Sequence, residues 1–246
     1  GLRIMTIHAF CQSLLRRFPS EAGVAPQFQL IEERDAAQVM HEALQTVPRR
    51  AAQKPRSPVG QAIATVPRRI GEAEFGELMA QLGGKDARLA RYLKAEGGVA
   101  GAMRRLRGEL GVSETDSEDV VLAAACADAA FDGPALRQCV AALLEGKDSD
   151  RKTGALIGDW LAADATDRAA MFGDYLAAYI TGAGTVRKRL ATKGVQAAMP
   201  EIIPIMTDEA ERLLAALARL TAIRLAEATG ALLVLADAVL ADYRRR

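Results

Sequence analysis

The sequence predicts an all-α protein: an irregular multi-helix bundle with one long C-terminal helix. Three observations predict it. Apolar residues recur with a period near 3.6 along most of the chain, and period-2 alternation is scarce. Alanine, the strongest helix former, is abundant, and aromatics make up only 4%. Glycine pairs at Gly83-Gly84 and Gly97-Gly98 punctuate the periodic stretches.

The first helix is the clearest. Ile7, Phe10, Cys11, Leu14, Leu15 and Phe18 sit at i, i+3, i+4, i+7, i+8 and i+11, one continuous apolar stripe. Thr6 is placed to cap its start and Pro19 to end it. The stripe makes Phe10 a core residue; stacking on a nucleic-acid base is the other reading of that ring. Residues Leu2–Met5 pattern as a short strand with no partner strand elsewhere. An orphan strand cannot satisfy its backbone, so the chain reads as a piece of a larger protein.

A second helix is expected over about 34–46, with Val39, Met40, Ala43 and Leu44 inward. The run from Gln45 to Gln61 holds three prolines and several cations and reads as a loop. Its TVPRR (Thr46–Arg50) recurs at Thr65–Arg69; chance and a small duplication both stay open. Further helices are expected at 72–82, 86–95 and 99–110. Another follows the acidic start ETDSED, and one runs from Asp132-Gly133-Pro134 to Gly146. Two more cover 151–162 and 167–181. Gly182–Gly194 reads as a glycine-flanked basic loop, and Met206–Tyr243 as the long last helix, where Gly230 costs about 1 kcal/mol and marks a bend.

Charge and composition narrow the function. Lys and Arg number 32 against 31 Asp and Glu, a net charge of +1, which excludes a generally basic nucleic-acid-binding domain. Any such contact must come from local clusters. The three cysteines form no CxxC pair, so neither a disulfide framework nor a zinc site is expected, and a reducing cytoplasm is the simpler setting. Cys126 and Cys139 fall in alanine-rich helical patterns as small core residues. No apolar run reaches membrane length, so no membrane partner is expected. The sequence has only two histidines, His8 and His41, and no phosphate loop; the KTG at Lys152–Gly154 lacks the preceding glycine-rich turn. No catalytic residue and no metal ligand is assigned.

The run IMTIHAFCQSLLRRFPSEAGVAPQFQLIEERDA (Ile4–Ala36), with its T-x-H-x-F core at Thr6, His8 and Phe10, resembles the UvrD/Rep-type superfamily I DNA helicases. It is most similar to the AddA (RecB-like) subunit of bacterial helicase-nucleases. YLAAYITGAGTVRKRLATKG (Tyr175–Gly194) and LAEATGALLVLADAVLADYRRR (Leu225–Arg246) are similar to the end of the AddA helical insertion. Residues 51–161 add little specific similarity. The resemblance implies that residues 1–30 belong to the first RecA-like motor domain and residues 31–246 to a helical 1B-like subdomain. It implies a DNA-binding part of an ATP-dependent helicase-nuclease in double-strand-break repair and recombination. ATP and magnesium would serve the full-length motor, with no cofactor held by this piece. Its partners would be single-stranded and duplex DNA, the rest of the motor and an AddB-like subunit.

Eight residues are the DNA-binding candidates. Thr6 has a hydroxyl at a helix N-terminus, where anions are favoured; it reads equally as a plain cap, and both roles are compatible. His8, Gln12 and Arg16 form one polar row, read either as a strand-facing surface or as a solvated face. Arg187, Lys188, Arg189 and Lys193 form the densest basic loop, read as a phosphate contact or a solvated turn. Arg49, Arg50, Lys54, Arg56, Arg68 and Arg69 make a weaker patch. The competing function is a helical protein–protein scaffold with no nucleic-acid role. An inserted subdomain also requires its two ends to lie close together.

Overall fold

The computed structural model describes residues 5–23, 33–70, 74, 77–78, 81 and 86–246. Short polar side chains set several helix starts. Thr6 accepts from the Ala9 amide and opens α1 (Ile7–Arg17). Pro19 starts the four-residue α2 (Pro19–Ala22), which Gly23 closes in the left-handed region at φ 66°. Then come α3 (Glu33–Ala52), α4 (Pro58–Ile70), α5 (Asp86–Ala95) and α6 (Val99–Glu109). Ser117 caps α7 (Glu118–Cys126) through Val120, and Asp132 caps α8 (Gly133–Leu144) through Ala135. After α9 (Asp148–Ala162), Asp164 caps α10 (Ala165–Ala170). The chain finishes with α11 (Phe172–Tyr179), α12 (Lys193–Ala198) and the 44-residue α13 (Ile202–Arg245). The described residues contain no strand, only an isolated antiparallel bridge between Ile180 and Val186. None of their helices is long and apolar enough to cross a membrane. The all-α expectation with a long last helix therefore holds.

Helix α13 is the spine. Its N-terminal half buries Met206, Leu213, Leu220 and Ile223 against α7, α8, α9 and α11. An aromatic ladder stands at the centre of that core. Trp160 stacks on Tyr175 with ring centroids 3.8 Å apart, and Tyr179 meets Tyr175 edge-on at 5.3 Å. Cys126 and Cys139 are both buried there, as expected. Burial pushes the Cys139 thiol up to about 11. The C-terminal half of α13 buries Val239 and Leu240 against Met40, Ala43 and Val47 of α3, and Ala231 and Leu235 against Ala62 and Val66 of α4.

Three sequence expectations change. The loop expected from Gln45 to Gln61 is mostly helix: α3 runs on to Ala52 with Pro48 inside it, and Pro58 opens α4 behind Ser57, whose hydroxyl accepts from the Gly60 amide. An internal proline costs about 3 kcal/mol. The apolar face explains why the helix persists, because Val47 and Ala51 continue the buried row begun by Met40 and Ala43. The two TVPRR copies thus lie in two helices that pack on the same spine. Within ALQTVPRRA (Ala43–Ala51) and AIATVPRRI (Ala62–Ile70), Ala43 matches Ala62 and Val47 matches Val66, and all four are buried. Second, the helix expected over 167–181 divides at Met171, because α10 packs on α7 while α11 packs on α9 and α13. Third, α13 passes Gly230 without a break; a Cβ there would stand 3.0 Å from the Met103 thioether, so the glycine admits a close side chain from α6. The helix expected over 72–82 lies mostly outside the described residues, as do residues 2–4 of the strand expected over 2–5.

Buried charge closes the helix ends. The Arg168 guanidinium donates to the Trp160, Leu161 and Cys126 carbonyls and to Asp128, and lies over both the Phe131 and Trp160 rings. It thereby satisfies orphan carbonyls at the ends of α7 and α9 together. Arg212 on α13 donates to the Ala125 carbonyl and holds Glu209, which also accepts from the Tyr175 hydroxyl at 2.7 Å. At the other end of the spine, buried Asp242 takes Arg50 at 3.0 Å, Arg246 at 2.8 Å and Arg245 at 3.5 Å. The Arg246 hydrogen bond leads, and together with the arginine charges it outweighs the opposing effect of burial. It holds the Asp242 carboxyl below its usual range.

Two outcomes follow. Val66→Ala removes two buried methyl groups at the α4–α13 contact and should lower unfolding free energy by about 2 kcal/mol in urea denaturation. A folded-state carboxyl held low stabilises above its unfolded value and loses that contribution as pH falls through the folded one. The melting temperature should therefore hold down to about pH 5 and fall below about pH 4. Asp242→Asn should remove part of that fall in circular-dichroism melts.

Candidate nucleic-acid interface

Two groups of side chains make up the candidate interface. The first stands on α1. His8, Gln12 and Arg16 follow at four-residue intervals, so one helix face carries all three. His8 and Arg16 are exposed and Gln12 is half-buried. The Thr6 oxygen accepts from the Ala9 amide at 3.3 Å, which leaves its hydroxyl proton available to a further acceptor. Arg16 and Arg17 fall in the last turn, where cations suit the helix dipole.

The apolar stripe of α1 behaves differently from its sequence reading. Phe10 was expected in the core and is 50% exposed; Ile7 is 73%, Leu14 41% and Phe18 47% exposed. No residue of α1 is buried. The helix it packs on, α2, is a single turn and cannot cover a stripe three turns long. Both long faces of α1, polar and apolar, are thus open among the described residues.

The second group is the basic loop. Its neck is tied by the Ile180–Val186 bridge, by the Thr185 amide and hydroxyl on Thr181, and by the Arg187 amide on the Tyr179 carbonyl at 2.8 Å. Beyond the loop, Leu190 and Ala191 are buried, and the Thr192 amide and hydroxyl donate to Asp150 at 3.0 and 2.7 Å. Arg187, Lys188 and Arg189 are all exposed between these two anchors. Arg187 is itself positioned, since its Nε donates to the Ala177 carbonyl at 2.8 Å. Lys193 is exposed at the first position of α12.

Asp150 is the residue that sequence reasoning missed. It is 3% exposed. Burial on its own would raise its carboxyl. Hydrogen bonds from Thr192 and from the Lys147 amide, with the Arg189 charge nearby, outweigh that and hold it below the usual range. Its position three residues after Lys147, at the start of α9, was the available signal.

The two groups occupy separate segments, and no hydrogen bond or ion pair among the described residues joins them. The weaker basic patch divides: Arg50 is engaged by Asp242, while Arg49, Lys54 and Arg56 are exposed. The side chains of Arg68 and Arg69 lie outside the described residues.

A family model described as the UvrD/REP helicase N-terminal domain matches residues 1–149. That is more than half of the 246 residues. The match includes Thr6, His8 and Phe10 and the bundle through α8; the basic loop and α13 lie beyond it. No curated protein and no solved structure matches the chain.

Because its stripe is exposed, Phe10→Asp should change the stability of this chain by no more than about 0.5 kcal/mol, the ordinary range for surface substitutions. A loss of several kcal/mol in urea denaturation would instead put Phe10 in the core, as the stripe alone suggested.

Proposed function

We propose a DNA-binding role for this chain, which belongs to the UvrD/REP helicase family. In this reading residues 1–30 are a segment of the first RecA-like motor domain, and residues 31–246 form a 1B-like helical subdomain. The finer assignment is to an AddA-like subunit of an ATP-dependent helicase-nuclease, acting in double-strand-break repair and recombination with an AddB-like partner. ATP and magnesium belong to the motor in this scheme.

The observation that carries the reading is α1. It carries the Thr6-x-His8-x-Phe10 pattern, which resembles that of these helicases, at a helix with a largely exposed polar row and an uncovered apolar stripe. The stripe suits packing onto a motor domain, and the polar row then faces the strand. Thr6 would donate to a phosphate, His8 and Gln12 would meet bases or phosphates, and Arg16 would add charge. One contact is compatible with insertion. Arg246 donates to Glu42 at 2.8 Å and to Thr46 at 3.0 Å, so the last helix ends against the first long helix of the bundle. Arg187, Lys188, Arg189 and Lys193 would neutralise phosphates of the duplex ahead of the motor.

Fluorescence anisotropy with a labelled forked DNA across a salt series tests this directly. Binding is expected at about 50 mM salt, with affinity falling steeply as salt rises. Reversing Arg187, Lys188 and Arg189 to glutamate together should weaken it by about tenfold or more. A chain that fails to bind at low salt would instead favour the helical scaffold.

A further inference from the structure

A pocket of about 350 Å³ opens between the first turns of α9, the last turn of α11 and the basic loop. Lys152, Arg187 and Arg189 line it, together with Ser149 and Thr153. Three cations face one carboxylate, Asp150, so the pocket is positive. That carboxylate is already committed to the Lys147 amide and to the amide and hydroxyl of Thr192. None of the three cations forms an ion pair among the described residues, whereas Arg151 on the same helix is paired with Asp148.

The backbone that carries the lining is anchored, and Arg187 is positioned by a hydrogen bond of its own. The Nε bond of Arg187 to Ala177 orients its guanidinium and leaves both terminal nitrogens without a protein partner among the described residues. Arg189 is followed at once by buried Leu190 and Ala191. Lys152 rides on α9, whose Gly154, Ile157 and Trp160 are buried in the core. Charges carried on anchored elements lose less freedom when an anion arrives than charges on a free segment. Guanidinium groups suit an anion with several oxygens, and an ammonium adds a compact point charge.

We propose that this pocket seats a backbone phosphate of a DNA strand, and that Lys152 supplies a charge the basic loop does not itself contain. The proposal rests on the DNA-binding reading above. It makes Arg187 and Arg189 the loop's share of one built site, with Asp150 as the positioning residue that ties Thr192 and the loop to α9.

Forked-DNA anisotropy on the full chain with Lys152→Gln, Lys152→Arg and Arg137→Gln tests it; Arg137 is an exposed cation on α8 that does not line the pocket. Lys152→Gln should weaken binding by roughly three- to tenfold at low salt and flatten the plot of log affinity against log salt by about one contact. Lys152→Arg should keep most of the affinity, and Arg137→Gln should stay within about twofold. Wild-type affinity and slope in Lys152→Gln, with weakened binding in Arg187→Gln and Arg189→Gln, would overturn the pocket and leave the loop's role standing. Equal losses in Lys152→Gln and Arg137→Gln would also overturn it, because general charge would then explain the effect. Failure of the unaltered chain to bind would overturn both readings.

Discussion

Helix α13 is about 66 Å long at 1.5 Å per residue, and its apolar residues recur along its whole length. The longest of its partners, α3, has 20 residues and spans less than half of it. Keeping the spine covered therefore takes two sets of helices. One set, α7 to α12, gathers round its first half and builds the aromatic core. The other, α3 to α6, covers its second half with smaller side chains, chiefly alanine and valine. Burial along this one helix is what joins helices distant in sequence, and it is strong enough to keep α3 helical through Pro48.

A bundle of short helices has many ends, and each end leaves carbonyls without partners. In this chain arginines answer much of that need. Arg168 and Arg212 reach the end of α7 from two different helices, and Arg168 also closes α9. Guanidinium groups bonded in this way tie helix ends together in a satisfied polar network, which rigidifies a core. The same ordering extends to the surface, because Asp150 and Thr192 hold the basic loop against α9.

Much of this was legible in the sequence, and the misses share a cause. Helix starts with local signals were readable at Thr6, Ser117 and Asp132, since capping needs only neighbouring residues. The span 86–95 was readable from periodicity. The loop assigned to 45–61 failed because proline is a local signal and the burial that overrides it lies some 190 residues away, at Leu235 to Leu240. Phe10 failed for the converse reason: an apolar stripe reports that a face wants cover, not that this chain supplies it. The four loop cations were visible as composition. Lys152 was not, because only the fold carries α9 to the loop.

The proposed interface comprises α1 and a loop beyond the matched residues, and the account stands on DNA reaching both. Hydrogen–deuterium exchange of the chain with and without forked DNA addresses this most directly. The account predicts slowed exchange in α1, in residues 177–193 and in the first turns of α9, with the α3–α4 face unchanged. Slowed exchange confined to α3 and α4, or no change anywhere in 147–193, would contradict it.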